Sequence, residues 1–185
     1  MILVSPACLM SQVEKWFFPG AETMFEFWAH VFSIVPGIVG LFLRRAYYWI
    51  TLDSCARDFY VGFGALFTHR EVVVEEGVYV GPYSLVGQSV LKRGTLIGSR
   101  VSVISGKYQH RLDENGKWTS CDPGNLRQIQ IGPDAWIGEG AIVMADVGAS
   151  TLVAAGAVVS SAVADGIVVG GNPARFIKKI WPAEG

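Results

Sequence analysis

The sequence predicts an all-β fold, in which short strands wind into stacked triangular coils as a parallel β-helix. Two observations predict this fold. Large apolar residues recur about every six positions, with the slips cancelling, and Gly or Ala often follows them. Neither an α-helix, with its period of 3.6, nor a strand that alternates with a period of 2 produces such a spacing. The sixteen recurring positions are Val61, Phe67, Val74, Val80, Val86, Leu91, Ile97, Val103, Ile131, Ile137, Val143, Val147, Val153, Val159, Val163 and Val169.

A triangular coil explains the spacing, because each of its three sides takes about six residues and directs one aliphatic side chain inward. A single coil cannot bury these side chains. Stacked coils can, with each strand paired to the strand above it at roughly 4.8 Å. Sixteen positions at three a coil predict about five coils over residues 58–180, interrupted by a loop at 105–128. We expect a short element to follow the last coil.

Residues 1–57 differ in composition and are predicted to form a separate helical, apolar segment. The 17 residues from Phe27 to Leu43 include no Asp, Glu, Lys or Arg, which is at the short limit for a membrane span, and Pro36-Gly37 interrupts them. Basic and then aromatic residues follow at 44–49, as at a membrane–water interface. We expect residues 23–49 to lie on the inner, cytoplasmic face of a membrane. Helices packed on the β-helix or on a neighbouring subunit, and a full span, are the alternatives.

Net charge and cysteine content narrow the range of partners. The 185-residue chain has a formal net charge of −1, which gives no indication of a nucleic-acid partner. Its cysteines, Cys8, Cys55 and Cys121, are scattered and lack the spacing of a metal site. We therefore expect free thiols in a reducing cytoplasm and no bound metal.

The loop at 105–128 interrupts the repeat where chemistry could occur. It is polar and rich in turn-forming residues, including Asn115-Gly116, and loops of this length in compact domains are usually functional. His110 lies a few residues into the loop. Neutral imidazole can accept a proton at cellular pH, so His110 is a candidate general base, and a solvated loop histidine is the alternative.

Four segments together resemble the hexapeptide-repeat acyltransferases: residues 97–103 leading to His110, 131–138, 153–159 and 170–175. The resemblance covers roughly residues 58–180 and implies a left-handed β-helix. It also implies a homotrimer with acetyl-CoA as cosubstrate and active sites between adjacent β-helices. The sequence departs from the family pattern at 144–151, where two residues are missing and one corner should be tighter.

The resemblance also assigns residues to the reaction. His110 matches the family's general base, and no covalent enzyme intermediate is required. His69, at a corner of the first coil, is predicted to bind the acceptor, with a purely structural corner histidine as the alternative. Tyr108 and Asp113, in the same loop as His110, are further predicted acceptor contacts.

The coenzyme site implied by the resemblance lies in the carboxyl-terminal coils. Glu139 stands where relatives often have a small residue, so it could instead orient His110 or contact the acceptor. Trp136 could be a shielding corner aromatic, and the basic residues could form a solvated tail. The predicted coenzyme residues are Trp136, Gly138, Glu139, Ala155, Gly156, Asn172, Pro173, Arg175, Lys178 and Lys179.

These assignments predict an acetyl-CoA-dependent O-acetyltransferase that acts on a sugar hydroxyl. The apolar segment favours an acceptor near a membrane, such as a surface-polysaccharide or lipid-linked glycan precursor. N-acetylation of an amino sugar and O-acetylation of serine are the alternatives within the fold. A metal site of the carbonic-anhydrase type needs three His ligands, whereas the repeat region has only His69 and His110. A membrane-associated scaffold is the non-enzymatic alternative.

Overall fold

The computed structural model describes residues 4–105, 110–120 and 126–180. Three helices precede the β-helix in these ranges, and sixteen short strands build it. The helices are α1 (Ser5–Phe17), α2 (Thr23–Ser33) and α3 (Gly37–Thr51). We call these three helices, together with the turns that join them, the helical cap.

The strands form three faces of a prism, which the chain visits in turn. Face 1 contains β1 (Ser54–Cys55), β4 (Val73–Val74), β7 (Ser89–Leu91) and β10 (Ile129–Ile131). Face 2 contains β2 (Phe59–Val61), β5 (Val78–Val80), β8 (Leu96–Ile97), β11 (Trp136–Ile137), β13 (Leu152–Val153), β15 (Ile167–Gly170) and β16 (Arg175–Lys179). Face 3 contains β3 (Leu66–Phe67), β6 (Leu85–Val86), β9 (Ser102–Val103), β12 (Ile142–Val143) and β14 (Val158–Val159).

The strands on each face pair in parallel with the coil above, except for β16, which runs antiparallel to β15. The periodic apolar residues fill the interior, and among them only Val163 is half-buried rather than buried. The prediction of an all-β left-handed parallel β-helix preceded by a helical segment is therefore confirmed.

The β-helix has about six turns rather than five. One reason is that a coil already begins at β1, before the first periodic residue, Val61. The loop at 105–128 does not break the stack, since β10 after the loop pairs directly with β7 before it. The loop is thus an arm inserted at a corner of a continuous β-helix.

The irregular stretch at 144–151 keeps its register. Its step from Val143 to Val147 is shorter than six residues, and Val147 contributes only an isolated bridge to Ile131 on face 1. The next coil repeats the short step, so Val163 bridges to Val147 in the same way. Two matched short corners explain how the missing residues leave the stack intact.

The helical cap closes the first coils with a buried aromatic cluster. Tyr48 contacts Phe67 of β3 edge to face, with 4.7 Å between ring centroids. Arg44 is also buried, and its guanidinium donates hydrogen bonds to the carbonyls of Val61, at 3.1 Å, and Val35, at 2.8 Å. Arg44, Tyr47 and Tyr48 were expected at a membrane interface, but they lie inside the protein.

Other apolar side chains of the cap face outward. Across the described residues, no helix combines the length and the apolar character needed to cross a membrane. The exposed apolar side chains of the α2–α3 region are Phe27, Ile34, Ile38, Val39 and Phe42, and those of α1 and its end are Leu9, Met10, Val13, Trp16, Phe17 and Phe18.

Both described cysteines, Cys8 and Cys55, are free thiols. Burial raises the pKa of Cys8 to about 11 and that of Cys55 to about 12. Neither is therefore a thiolate at neutral pH. Cys121 lies outside the described residues.

Candidate active site

Six of the predicted coenzyme residues lie at one corner of the prism, where face 2 turns into face 3. We call this corner edge 2–3. Successive coils bond there through the backbone: the N–H of Gly156 donates to the carbonyl of Glu139 at 2.8 Å, and that of Val158 donates to Gly171 at 2.9 Å. The six residues are Gly138, Glu139, Ala155, Gly156, Asn172 and Pro173.

Small residues make edge 2–3 a low, open track. A Cβ on Gly138 would lie 2.5 Å from the backbone nitrogen of Ala155, so the close approach of these coils requires glycine. Ala155 and Gly156 are themselves exposed. Glu139 forms a hydrogen-bonded ion pair with Arg100 of the coil below, which holds its carboxylate at this edge.

The other predicted coenzyme residues lie on face 2 and β16. Trp136 and Lys178 line a shallow cavity of about 480 Å³, and 53% of Trp136 is exposed. Arg175, Lys178 and Lys179 belong to β16, which is exposed along its length. Face 2 and edge 2–3 therefore adjoin and together carry all ten residues.

His110 lies on the inserted arm, which leaves the β-helix at the corner between face 3 and face 1, edge 3–1. Residues 110–120 form a hairpin, with an antiparallel bridge between Leu112 and Trp118. The Nδ1 atom of His110 is 2.9 Å from the carbonyl oxygen of Thr119. A carbonyl can only accept, so Nδ1 carries the hydrogen and Nε2 of the neutral ring is left as a proton acceptor. The exposed imidazole thus has the tautomer that a general base needs.

Asp113 closes the turn of this hairpin. Its Oδ1 accepts hydrogen bonds from the backbone N–H groups of Asn115 and Lys117, each at 2.8 Å. Gly116 has a φ of +74°, as the predicted Asn115-Gly116 turn requires. The structure thus gives Asp113 a local structural task, while its predicted contact with the acceptor stays a prediction. Tyr108 lies outside the described residues.

His69 lines a second cavity, of about 360 Å³, between the helical cap and the first coils. Leu126, on the limb of the arm that returns to the β-helix, also lines it. Gln128 of the same limb donates a hydrogen bond to the carbonyl of Glu71 at 2.9 Å. The cap, the first coils and the arm therefore meet at this cavity, which we call the cap cavity.

A carboxylate from the cap orients His69. Nδ1 of His69 is 2.7 Å from Oε2 of Glu22, and the other oxygen of Glu22 accepts the backbone N–H of Arg70, also at 2.7 Å. The hydrogen bond to Glu22 raises the pKa of His69, and the nearby carboxylates of Glu71 and Glu26 act in the same direction, against the effect of burial.

Beneath the cavity, Arg70 is buried in a network that joins the cap to the β-helix. Its guanidinium donates to Oγ of Ser11 at 2.7 Å and to a carboxylate oxygen of Glu14 at 2.8 Å. Glu14 also accepts the backbone N–H groups of Met24, at 2.8 Å, and Phe25, at 3.2 Å, at the start of α2. Spacing along the sequence could not single out Glu14 or Glu22, since the side chains with which they pair, Arg70 and His69, lie in another segment.

Glu22, His69 and Glu71 also form a group of possible metal ligands. One atom of each lies within 4.8 Å of the others. Both oxygens of Glu22 and the Nδ1 of His69 are already engaged in hydrogen bonds. These hydrogen bonds explain why the side chains lie together: the carboxylate of Glu22 orients the ring of His69.

Comparison with solved structures identifies the fold. A maltose O-acetyltransferase from Clostridium difficile 630 matches with a TM-score of 0.62 and 17% identity, over 87% of this chain and 87% of that one. A galactoside acetyltransferase in complex with coenzyme A matches with a TM-score of 0.57 and 16% identity, over 96% and 82%. An N-acyltransferase from Bacillus cereus, in complex with dTDP-4-amino-4,6-dideoxyglucose and coenzyme A, matches with 0.51 and 15%, over 72% and 87%.

The sequence itself matches no protein-family model and none of the curated proteins. At these identities the structural likeness establishes the fold. The chain has the β-helix found in solved sugar acetyltransferases, as its resemblance to the hexapeptide-repeat family predicted.

Proposed function

We propose that this chain is an acetyl-CoA-dependent O-acetyltransferase that acts on a sugar hydroxyl. The observation that carries the proposal is His110, whose Nδ1 is bonded to the carbonyl of Thr119, so that Nε2 of the neutral ring is the nitrogen that can take a proton. This imidazole stands on an arm inserted into an acetyltransferase-type β-helix.

The proposed reaction is a direct transfer. Nε2 of His110 takes the proton of the acceptor hydroxyl while its oxygen attacks the thioester carbonyl of acetyl-CoA. The tetrahedral intermediate collapses, the carbon–sulfur bond breaks, and the proton passes from His110 to the departing CoA thiolate. The products are the acetyl ester and CoA. Backbone N–H groups at a coil corner would stabilise the oxyanion.

The track at edge 2–3 supports binding of the coenzyme. Exposed Ala155 and Gly156 leave room for a slender pantetheine chain to lie flat against the coils. The exposed cations of β16, Arg175, Lys178 and Lys179, are suited to the coenzyme's phosphates. Trp136, half-exposed on face 2, offers an apolar surface beside this track.

We assign the acceptor to the cap cavity. Its volume of about 360 Å³ falls in the range of small-molecule sites. It contains His69 and adjoins the returning limb of the arm that carries His110. The fold does not separate hydroxyl from amine acceptors, since its relatives include both an O-acetyltransferase and an N-acyltransferase.

His110 and the predicted coenzyme residues lie at different edges of one prism, and this separation favours a homotrimer. The arm leaves the prism at edge 3–1, whereas the coenzyme track runs along edge 2–3, and face 3 lies between them. Packing one prism against the next would bring the arm of one chain to the track of its neighbour. Closed cyclic symmetry then gives three equivalent sites.

We further propose that the acceptor is a surface-polysaccharide or lipid-linked glycan precursor, used at the cytoplasmic face of a membrane. Exposed Phe27, Ile38 and Phe42 within residues 23–49 support such a contact. Fractionation of cells tests this part of the proposal. Recovery of all the protein in the soluble fraction without detergent would contradict it.

The test of the activity is the release of CoA from acetyl-CoA in the presence of candidate acceptors: neutral sugars, amino sugars and serine. The proposal predicts release that depends on a sugar hydroxyl. A thermal-shift measurement with acetyl-CoA separates the enzyme from a scaffold, because a protein that does not bind the coenzyme gains no stability from it.

A further inference from the structure

We infer that Glu22 and His69 act as a pair that positions the acceptor sugar, with Glu22 fixing the imidazole and the ring's Nε2–H donating a hydrogen bond to an oxygen of the sugar. The inference rests on the proposed function, since it concerns the acceptor of that reaction. It gives the helical cap a part in substrate binding that the sequence did not indicate.

The geometry of the pair is that of an oriented histidine. Nδ1 of His69 and Oε2 of Glu22 are 2.7 Å apart, and Oε1 of Glu22 is held at 2.7 Å by the N–H of Arg70. The carboxylate is therefore fixed at both oxygens. The side chains are 25% exposed for His69 and 19% exposed for Glu22, so the pair is largely screened but remains accessible.

The location of the pair favours binding over a purely structural role. His69 lines the cap cavity, and its Nε2 is the ring nitrogen that Glu22 does not occupy. The cavity is bounded on one side by Gly20 and Ala21 of the cap and on another by Leu126 of the arm. A sugar in this space would lie between His69 and the limb that leads back to His110.

Carboxylates surround the ring of His69. Glu22 contacts it, Glu71 and Glu26 lie nearby, and burial is the weaker, opposing effect, so the ring is biased toward its protonated form. Among the described residues that line the cavity, the remaining charged side chains are paired, Lys15 with Asp53 and Arg70 with Glu14. A protonated ring donates from Nε2, which suits it to hold an acceptor oxygen and not to remove its proton.

The experiment measures the steady-state kinetics of the acceptor for Glu22→Gln and His69→Leu in the 185-residue chain. A hydrogen bond from a charged donor is worth about 1.5–3 kcal/mol, which corresponds to a rise of about tenfold to a hundredfold in the KM for the acceptor. We expect kcat and the KM for acetyl-CoA to stay within about threefold of wild type. Glu26→Gln is the matched control, because it removes a nearby carboxylate that acts on His69 only through its charge, whereas Glu22 is hydrogen-bonded to the ring.

A conservative variant and a spectroscopic readout complete the test. His69→Gln keeps a donor and should recover part of the acceptor affinity that His69→Leu loses, even if Glu22→Gln does not fold. An NMR titration of ¹⁵N-labelled histidine should give a midpoint for His69 above the ordinary value near 6.5, and a lower one in Glu22→Gln. This titration needs no turnover, so it separates failure of the pair from failure of the proposed activity.

Two results would overturn the inference. One is an acceptor KM that is unchanged in both His69→Leu and Glu22→Gln, which would leave the pair a structural link between cap and coil. The other is a loss of kcat in His69→Leu as large as in His110→Ala with the acceptor KM unchanged, which would make His69 a base.

Discussion

The two ends of the β-helix are built in different ways. At the amino-terminal end, three helices cover the first coils and a buried network of Arg70, Glu14 and Ser11 joins them to the prism. At the carboxyl-terminal end, β16 adds an antiparallel strand to face 2 and remains exposed, with its cations in solvent. One end is closed by contacts between distant segments, and the other is an open continuation of the local repeat.

Because its two ends differ, one fold can offer two kinds of site. The open end and edge 2–3 present a shallow track, which suits a long and flexible coenzyme. The closed end encloses the cap cavity, which suits a compact sugar. The arm with His110 begins between these regions and returns to the closed end through Leu126. Predictions that act on one end and spare the other test this division.

The largest expected effect comes from the arm that joins the two ends. His110→Ala should lower kcat by about 10²–10⁴-fold, because it removes the proposed general base. The KM for acetyl-CoA should change little, since the proposed coenzyme track lies at another edge. Steady-state CoA release checks both values. His30→Ala, which removes another exposed histidine from α2, is the control and should leave turnover intact.

Loss of a charge should lower the free energy of unfolding more in the buried network of the closed end than at the protein surface. Arg70→Met leaves the carboxylate of Glu14 buried without its partner, and breaking a buried pair in this way costs about 3–5 kcal/mol. Arg93→Met breaks an exposed pair with Glu76 and should cost at most about 1 kcal/mol. Denaturant unfolding measures both free energies. Equal effects would show that the buried network does not hold the cap to the prism.

At the open end, removal of charge should affect the coenzyme and not the acceptor. Lys178→Ala combined with Lys179→Ala should raise the KM for acetyl-CoA by about tenfold at low ionic strength, with a smaller effect in 1 M salt. The acceptor KM should stay the same. Lys117→Ala, on the tip of the arm, is the control for a lost surface cation. A change confined to the acceptor KM would show that β16 contacts the acceptor and not the coenzyme.

The smallest expected effect is a pH dependence of stability at the closed end. Because Glu22 raises the pKa of His69, their pairing stabilises the fold fully below the unfolded value near 6.5 and is lost as pH rises through the raised pKa. Wild type should therefore exceed Glu22→Gln by more at pH 6 than at pH 9. The pair is partly exposed, so the difference should be under about 1 kcal/mol. Unfolding curves at the two pH values measure it, and a larger gap at pH 9 would contradict the assignment.

The repeat made the β-helix predictable, because its periodic residues report a local geometry that each coil reproduces. Ile97 and Ile137 could be placed in the core from their spacing alone, and both are fully buried. The Asn115-Gly116 turn could likewise be predicted, since a tight turn depends on neighbouring residues.

The closed end could not be predicted in this way. Glu22 and His69 are 47 residues apart in the sequence, and Arg70 and Ser11 are 59 apart, so no spacing links them. Local composition also could not tell the inward from the outward face of the cap. Arg44 and Tyr48 therefore suggested a membrane interface, although both are buried against the first coils.

The most direct test of the account is complementation between two inactive variants. His110→Ala removes the base at edge 3–1, and Ala155→Trp blocks the exposed track at edge 2–3. If each site combines the arm of one subunit with the track of its neighbour, every mixed trimer has one intact site in three, so random assembly from equal co-expression should recover activity at about a quarter of all sites. Mixed trimers that form but release no CoA would place arm and track of every site in one chain, and would contradict the account.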